Sequence, residues 1–171
     1  MFVNNHNSFS IDALIELCVT TFYGKYYKSV ARPEVYMSLS TITGSLGYYD
    51  LKDPKIIINI SNVRRYVATM YGELDLRSGI NISRFFSVLF SVLLHEMIHS
   101  TQNIDPHEYM NNSDYRKTIE LQADELFEKI LVDTNYFMEI NDSFMSMCGW
   151  SLNYEYVKNC GHRNSQTIDL Y

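Results

Sequence analysis

The sequence predicts an α+β fold, and three observations predict it: a short β-branched segment, KIIINI at 55–60; a long, nearly all-apolar helix at 83–102; and helical apolar spacing through most of the C-terminal third. The strands lie ahead of the long helix and the C-terminal part is mainly helical. At 171 residues the chain can bury one sizeable core, as a single domain over 1–171, and is short for two. Hydrophobic residues make up 46% and aromatics 14%, which excludes a disordered chain.

Residues 10–27 predict the first helix, because Ile11, Leu14, Ile15, Cys18, Val19 and Phe22 recur at helical spacing behind Ser10, a capping residue. Arg32-Pro33 interrupts it. Over 34–41 the chain alternates as a strand does, with Val35, Met37 and Leu39 on one side and Tyr36 and Ser38 on the other. Gly44, Gly47 and Asp53-Pro54 punctuate the next stretch, leaving SLGYYD at 45–50 as a short strand and KIIINI as a β-branched one. A helix over 62–74 is interrupted by Gly72. The apolar helix is capped by Ser83, and a second amphipathic helix over 113–133 is capped by Ser113. Its stripe is Ile119, Ala123, Leu126, Phe127, Ile130 and Leu131. Residues 136–147 read as helix, broken at Gly149; 150–156 is aromatic-rich, and the tail KNCGHRNSQTIDLY is polar.

The apolar helix ends in chemistry. His95-Glu96-Met97-Ile98-His99 comes directly after the run FFSVLFSVLL. Histidines four apart share a helix face, so both imidazoles can reach one metal ion at about 2.0–2.1 Å each. Glu96 sits on an adjacent face, where a carboxylate can take a proton from water without being a ligand. The alternative is an ordinary polar end of a core helix, which would desolvate three polar side chains for no purpose. A catalytic site needs a third ligand. Glu120 and Asp124, four apart, also share a face. Glu120 can ligate while Asp124 accepts the second ring proton of a ligating histidine. Their alternative is a solvated helix face.

H-E-x-x-H at 95–99, with E-x-x-A-D at 120–124 beginning 21 residues after His99, resembles the gluzincin zinc metallopeptidases, especially their small single-domain members. The likeness covers these two motifs in the central third of the chain. It implies Zn2+ held by His95, His99 and Glu120, with Glu96 as catalytic base and Asp124 supporting a ligand. It also implies a zincin-like fold, with a small twisted, mostly antiparallel sheet packed on an active-site helix and a glutamate helix. The implied activity is hydrolysis of a peptide or protein substrate by water that Glu96 activates. Zincins pair an extended substrate with the edge strand above the metal; KIIINI is the candidate, unless it is an inner strand with both edges paired. Such peptidases usually have a Tyr or His to stabilise the oxyanion, and Tyr154, Tyr156 and His162 are the candidates here, each with a structural alternative.

Two other third ligands are on offer. Asp105 falls on the last position of the metzincin pattern H-E-x-x-H-x-x-G-x-x-D, but Gln102 stands where its glycine should be. His107, in the polar stretch NIDPHEYMNNSD, resembles the downstream histidine ligand of SprT-like proteins. In the tail, Cys160 could place a thiolate in the open metal position and hold the enzyme latent.

Charge and cysteines narrow the setting. A net charge of −6 with no basic patch argues against nucleic acid as partner. Cys18, Cys148 and Cys160 are odd in number and form no C-x-x-C, as expected of free thiols in a reducing compartment. The start MFVNNHNSFS lacks the pattern of a signal peptide, and the apolar run near 85–94 is short for a bilayer. The expectation is a soluble, cytoplasmic protein without a membrane partner. Two rival functions use the same residues: a zinc-dependent hydrolase of a non-peptide amide or ester, and a zinc-binding protein without catalysis. Glu96 counts against the second, since a structural site has no use for a base.

Overall fold

A computed structural model describes residues 5–39, 44–72 and 79–167. The elements are α1 (Asn5–Thr21), continued by a π-helical turn at Phe22–Tyr26, then β1 (Glu34–Ser38), β2 (Gly47–Asp50), β3 (Lys55–Asn59), α2 (Ile60–Tyr71), α3 (Gly79–His99), α4 (Pro106–Asn111), α5 (Ser113–Asp133), α6 (Tyr136–Cys148) and α7 (Tyr154–Thr167). The α+β expectation holds. Residues 40–41 of the expected first strand and 73–74 of the expected helix at 62–74 lie outside the described residues.

Everything is built on α3. From Phe85 to His99 every residue is buried, because α1, α2, α5, α7 and the strands β2 and β3 all pack on it. A helix covered on all sides must be apolar all round, which explains the unbroken run FFSVLFSVLL. Truncating a fully buried Leu89 or Leu93 to Ala in such a setting costs roughly 2–5 kcal/mol. By length and composition α3 could cross a bilayer, contrary to the shorter run expected, yet 89% of its most apolar window is buried inside the fold. Ser83 lies within α3 and is not its cap; its hydroxyl donates to the Ser151 carbonyl at 2.9 Å.

The sheet is mixed, with order β1-β3-β2. β2 and β3 form an antiparallel hairpin, Gly47 opposite Ile58 through Asp50 opposite Lys55. Its turn is closed by the Asp50 carboxylate, which accepts from the Lys52 and Asp53 amides at 2.9 and 3.3 Å. β3 runs parallel to β1, pairing Glu34 with Lys55 through Ser38 with Asn59. The expected mostly antiparallel sheet is therefore corrected: one pair is parallel and one antiparallel. KIIINI is also the inner strand, with Ile56, Ile57 and Ile58 all buried, so it offers no edge. The edges are β1 and β2.

Gly47 sets how closely β2 lies on α3. A Cβ there would stand 2.9 Å from Val92 Cγ1 and 3.0 Å from the Ile57 carbonyl oxygen. The valine can turn, but the backbone oxygen belongs to the hairpin and cannot. Gly47→Ala is expected to lift β2 and destabilise the fold by roughly 1–3 kcal/mol. Chemical denaturation measures this, and an unchanged midpoint would show that the strand has room.

Helices α5 and α6 keep their expected limits to within one residue, while the cap of α5 differs. α5 is capped by Asn112, whose side-chain oxygen accepts from the Asp114 and Tyr115 amides at 3.1 Å each, and not by Ser113. α6 ends at Gly149, in the left-handed region at φ 75°. The end of the aromatic-rich stretch and residues 158–167 of the polar tail, which gives no helical signal, form α7, capped by Asn153. It docks through Val157 and Cys160, while Ser87 of α3 accepts from the Asn153 amide at 2.8 Å and Ser91 donates to the Val157 carbonyl at 3.2 Å. Two serines inside an apolar helix thus supply hydrogen bonds to the helix packed beside it.

Candidate metal centre

His95 and His99 project from the last turn of α3, and Glu120 faces them from α5. All three are buried, at 1%, 5% and 5% exposure, and their ligand atoms lie within 4.8 Å of one another. The Nε2 atoms of His95 and His99 are 3.1 Å apart; Glu120 Oε2 is 3.2 Å from His95 Nε2, and Oε1 is 3.4 Å from His99 Nε2. Ligands of a tetrahedral ion with bonds of about 2.0–2.1 Å stand about 3.3 Å apart, and each of these separations, two of them to different oxygens of Glu120, is of that size.

The partners of the rings explain the geometry. Beyond His99 the chain tightens into three-residue turns, with the Ser100, Thr101 and Gln102 amides bonded to the carbonyls of Met97, Ile98 and His99. This brings Gln102 back beneath His99. Its amide nitrogen donates to the Ile119 carbonyl at 3.0 Å, which turns Oε1 towards His99 Nδ1 at 2.7 Å. Nδ1 must then carry the proton, and Nε2 of the neutral ring offers a lone pair. His95 Nδ1 is buried without a hydrogen bond and faces Asp124 Oδ1 at 3.7 Å, within ion-pair range. Two ring lone pairs and a carboxylate converging on one point form a donor set that fits a metal cation. Gln102, which occupies the metzincin glycine position, is the partner that orients His99.

Charge reflects this crowding. Burial works against the His99 cation, but Glu120 and Glu96 outweigh it and raise the group to about 9. Burial would likewise raise Glu120, yet its bonds to His95 and His99 hold it well below the usual carboxylate range. Glu96, at 6% exposure, is pushed up by burial; the two histidines and a hydrogen bond from the Tyr49 backbone favour its charged form. A folded pKa above the ordinary 6.5 means that the charged His99 stabilises the metal-free protein fully below pH 6.5. That contribution is lost as pH rises through about 9. A metal must displace the same proton, so its apparent affinity should gain roughly tenfold per pH unit up to about 9 and then level off. Chelator competition across that range measures it, and a flat profile would remove His99 from the ligand set.

The outer edge of β2 borders the group, and its Tyr49 N–H is bonded to Glu96. The Asn59 amide bonds the Leu46 carbonyl, so the antiparallel alternation turns the peptide groups of Gly47 and Tyr49 away from β3. Glu96 and His99 line a cavity of about 170 Å³ with Gly47, Tyr48, Tyr49 and Tyr109. Tyr109, on α4, donates its phenol proton to Glu120 Oε1, and burial, then the Glu120 charge, raises its pKa strongly. Sequence reasoning misses Tyr109 because it sits in a polar stretch; the capping pattern Asp105-Pro106 is the signal that a helix begins there.

The remaining candidates fall elsewhere. Asp105 is the cap of α4, accepting from the Glu108 amide at 3.0 Å, and His107 is exposed on that helix. Tyr156 accepts from Arg84 Nε at 3.1 Å, roughly 16 Å along α3 from His95. Tyr154 packs edge-on against Phe137 in the core. The His162 side chain lies outside the described residues. Cys160 is 2% exposed in the α7 contact, so its thiol is a core group rather than a latency ligand. Compared with protein-family models, with curated proteins and with solved structures, the chain has no match.

Proposed function

We propose that the protein is a zinc-dependent metallopeptidase of zincin-like fold. The observation that carries the reading is Glu96: a buried carboxylate beside a three-residue metal group, opening on a cavity that an outward-facing strand edge borders. A zinc ion held by His95, His99 and Glu120 would acidify a water and polarise the attacked carbonyl. Glu96 takes the proton from that water and passes it to the leaving amine; a carboxyl group raised by burial can hold a proton between the two transfers. Gly47 offers its peptide N–H and carbonyl, and Tyr49 its carbonyl, to an extended substrate, the part expected of KIIINI; the Tyr49 N–H is held by Glu96. In this reading Tyr109 is the oxyanion donor, since its hydroxyl already reaches the metal group.

Metal content by mass spectrometry, on protein purified without chelator or nickel, tests the metal; about one zinc per chain is expected. Casein and peptide libraries, with and without chelator, test the activity. Failure to bind zinc would end the reading, and turnover of small esters or amides but no peptide would move it to the non-peptide hydrolases. Tyr109→Phe should lower kcat about 100-fold with zinc content unchanged. Equal kcat would leave the phenol a structural partner of Glu120. The buried Cys18 and Cys160 thiols fit the proposed cytoplasmic setting.

A further inference from the structure

We propose that the cavity between β2 and α4 is a side-chain subsite that selects a large aromatic residue beside the attacked bond. The peptide nature of the substrate rests on the peptidase reading; the subsite itself rests on the cavity. It measures about 300 Å³ and is walled by Tyr48, Tyr49 and Leu51 on one side and Pro106, Tyr109 and Met110 on the other. Tyr48, Tyr49, Leu51 and Tyr109 also line the cavity that holds Glu96 and His99, so the two spaces adjoin.

The chemistry of the walls favours an aromatic occupant. Tyr48 is 44% exposed and Met110 65%, large apolar groups left in water at the mouth of a site. Three tyrosine rings and a thioether offer edge-to-face and sulfur–aromatic contacts that an aliphatic side chain cannot match. Asp50 and Lys52 complete the lining: the Asp50 carboxylate is turned into its own hairpin by the Lys52 and Asp53 amides, and Lys52 is exposed, so the remaining walls are rings, a proline and aliphatic or thioether groups. A chain paired along Gly47 and Tyr49 would send alternate side chains to one face, so a residue near the metal group can enter while the backbone stays on the edge.

The test uses the zinc-loaded full chain with the Met110 methyl group labelled with carbon-13, its resonance assigned through Met110→Leu. N-acetylphenylalanine amide should shift that resonance saturably, at least about tenfold more tightly than N-acetylalanine amide. Equal responses, or none, would overturn the subsite. Met110→Trp, which fills the cavity, should lower the Phe-to-Ala ratio of kcat/KM in a matched peptide pair about tenfold while the Ala peptide is still cleaved. An unchanged ratio would also overturn it. A selective Met110 shift in a protein that cleaves no peptide would uphold the subsite and sink the peptidase reading; cleavage without aromatic preference would do the reverse.

Discussion

Glu96→Gln is expected to lower kcat by roughly 10³–10⁴-fold while the protein binds zinc as tightly as before. The amide matches the carboxylate in size and can still accept from the Tyr49 backbone, so the contact between α3 and β2 survives. What it lacks is a site for the proton that water must lose. Because burial already disfavours the Glu96 charge, the neutral variant should be at least as stable as the parent. Turnover and zinc stoichiometry measured on the same sample separate the roles. A variant that keeps its activity would show that Glu96 is not the base, and one that loses zinc would show that it belongs to the ligand set.

Glu120→Ala should weaken zinc binding by at least about 100-fold, more than the loss of an outer partner typically costs. It should also remove the largest attraction that holds the proton on His99, so that His99 falls from about 9 as burial meets less opposition. Chelator competition reads the first effect, and the pH titration of the His99 ring signal by NMR reads the second. Unchanged zinc affinity would exclude Glu120 as a ligand. An unchanged His99 titration would mean that Glu96 supplies most of the attraction.

The pair His95 and His99 is legible in the sequence because helical spacing is local: four residues are one turn wherever the helix lies. The same holds for Glu120 and Asp124, and the α5 limits agree with those read from its apolar stripe. Tyr109 is not legible, because a phenol in a polar stretch has no periodicity to betray it. Only the short α4, capped by Asp105 and tied by the Asp105 amide to the Tyr115 hydroxyl at 3.0 Å, carries it to Glu120. α7 escapes notice because its described buried side chains, Val157 and Cys160, stand in a polar sequence without a longer apolar stripe to announce a helix.

By itself, the sequence determined that an apolar core helix ends in two histidines and a glutamate on neighbouring faces, and that a second helix sets two carboxylates on one face. Those are consequences of 3.6 residues per turn and need no partner. Tertiary structure decided the rest: that Glu120 reaches the histidines, that β3 is inner and β2 the edge, and that Gln102 and Tyr109 join the group. Strand order and loop return depend on which distant surfaces bury each other, and packing energies between residues tens of positions apart leave no periodic trace in a chain read one residue at a time.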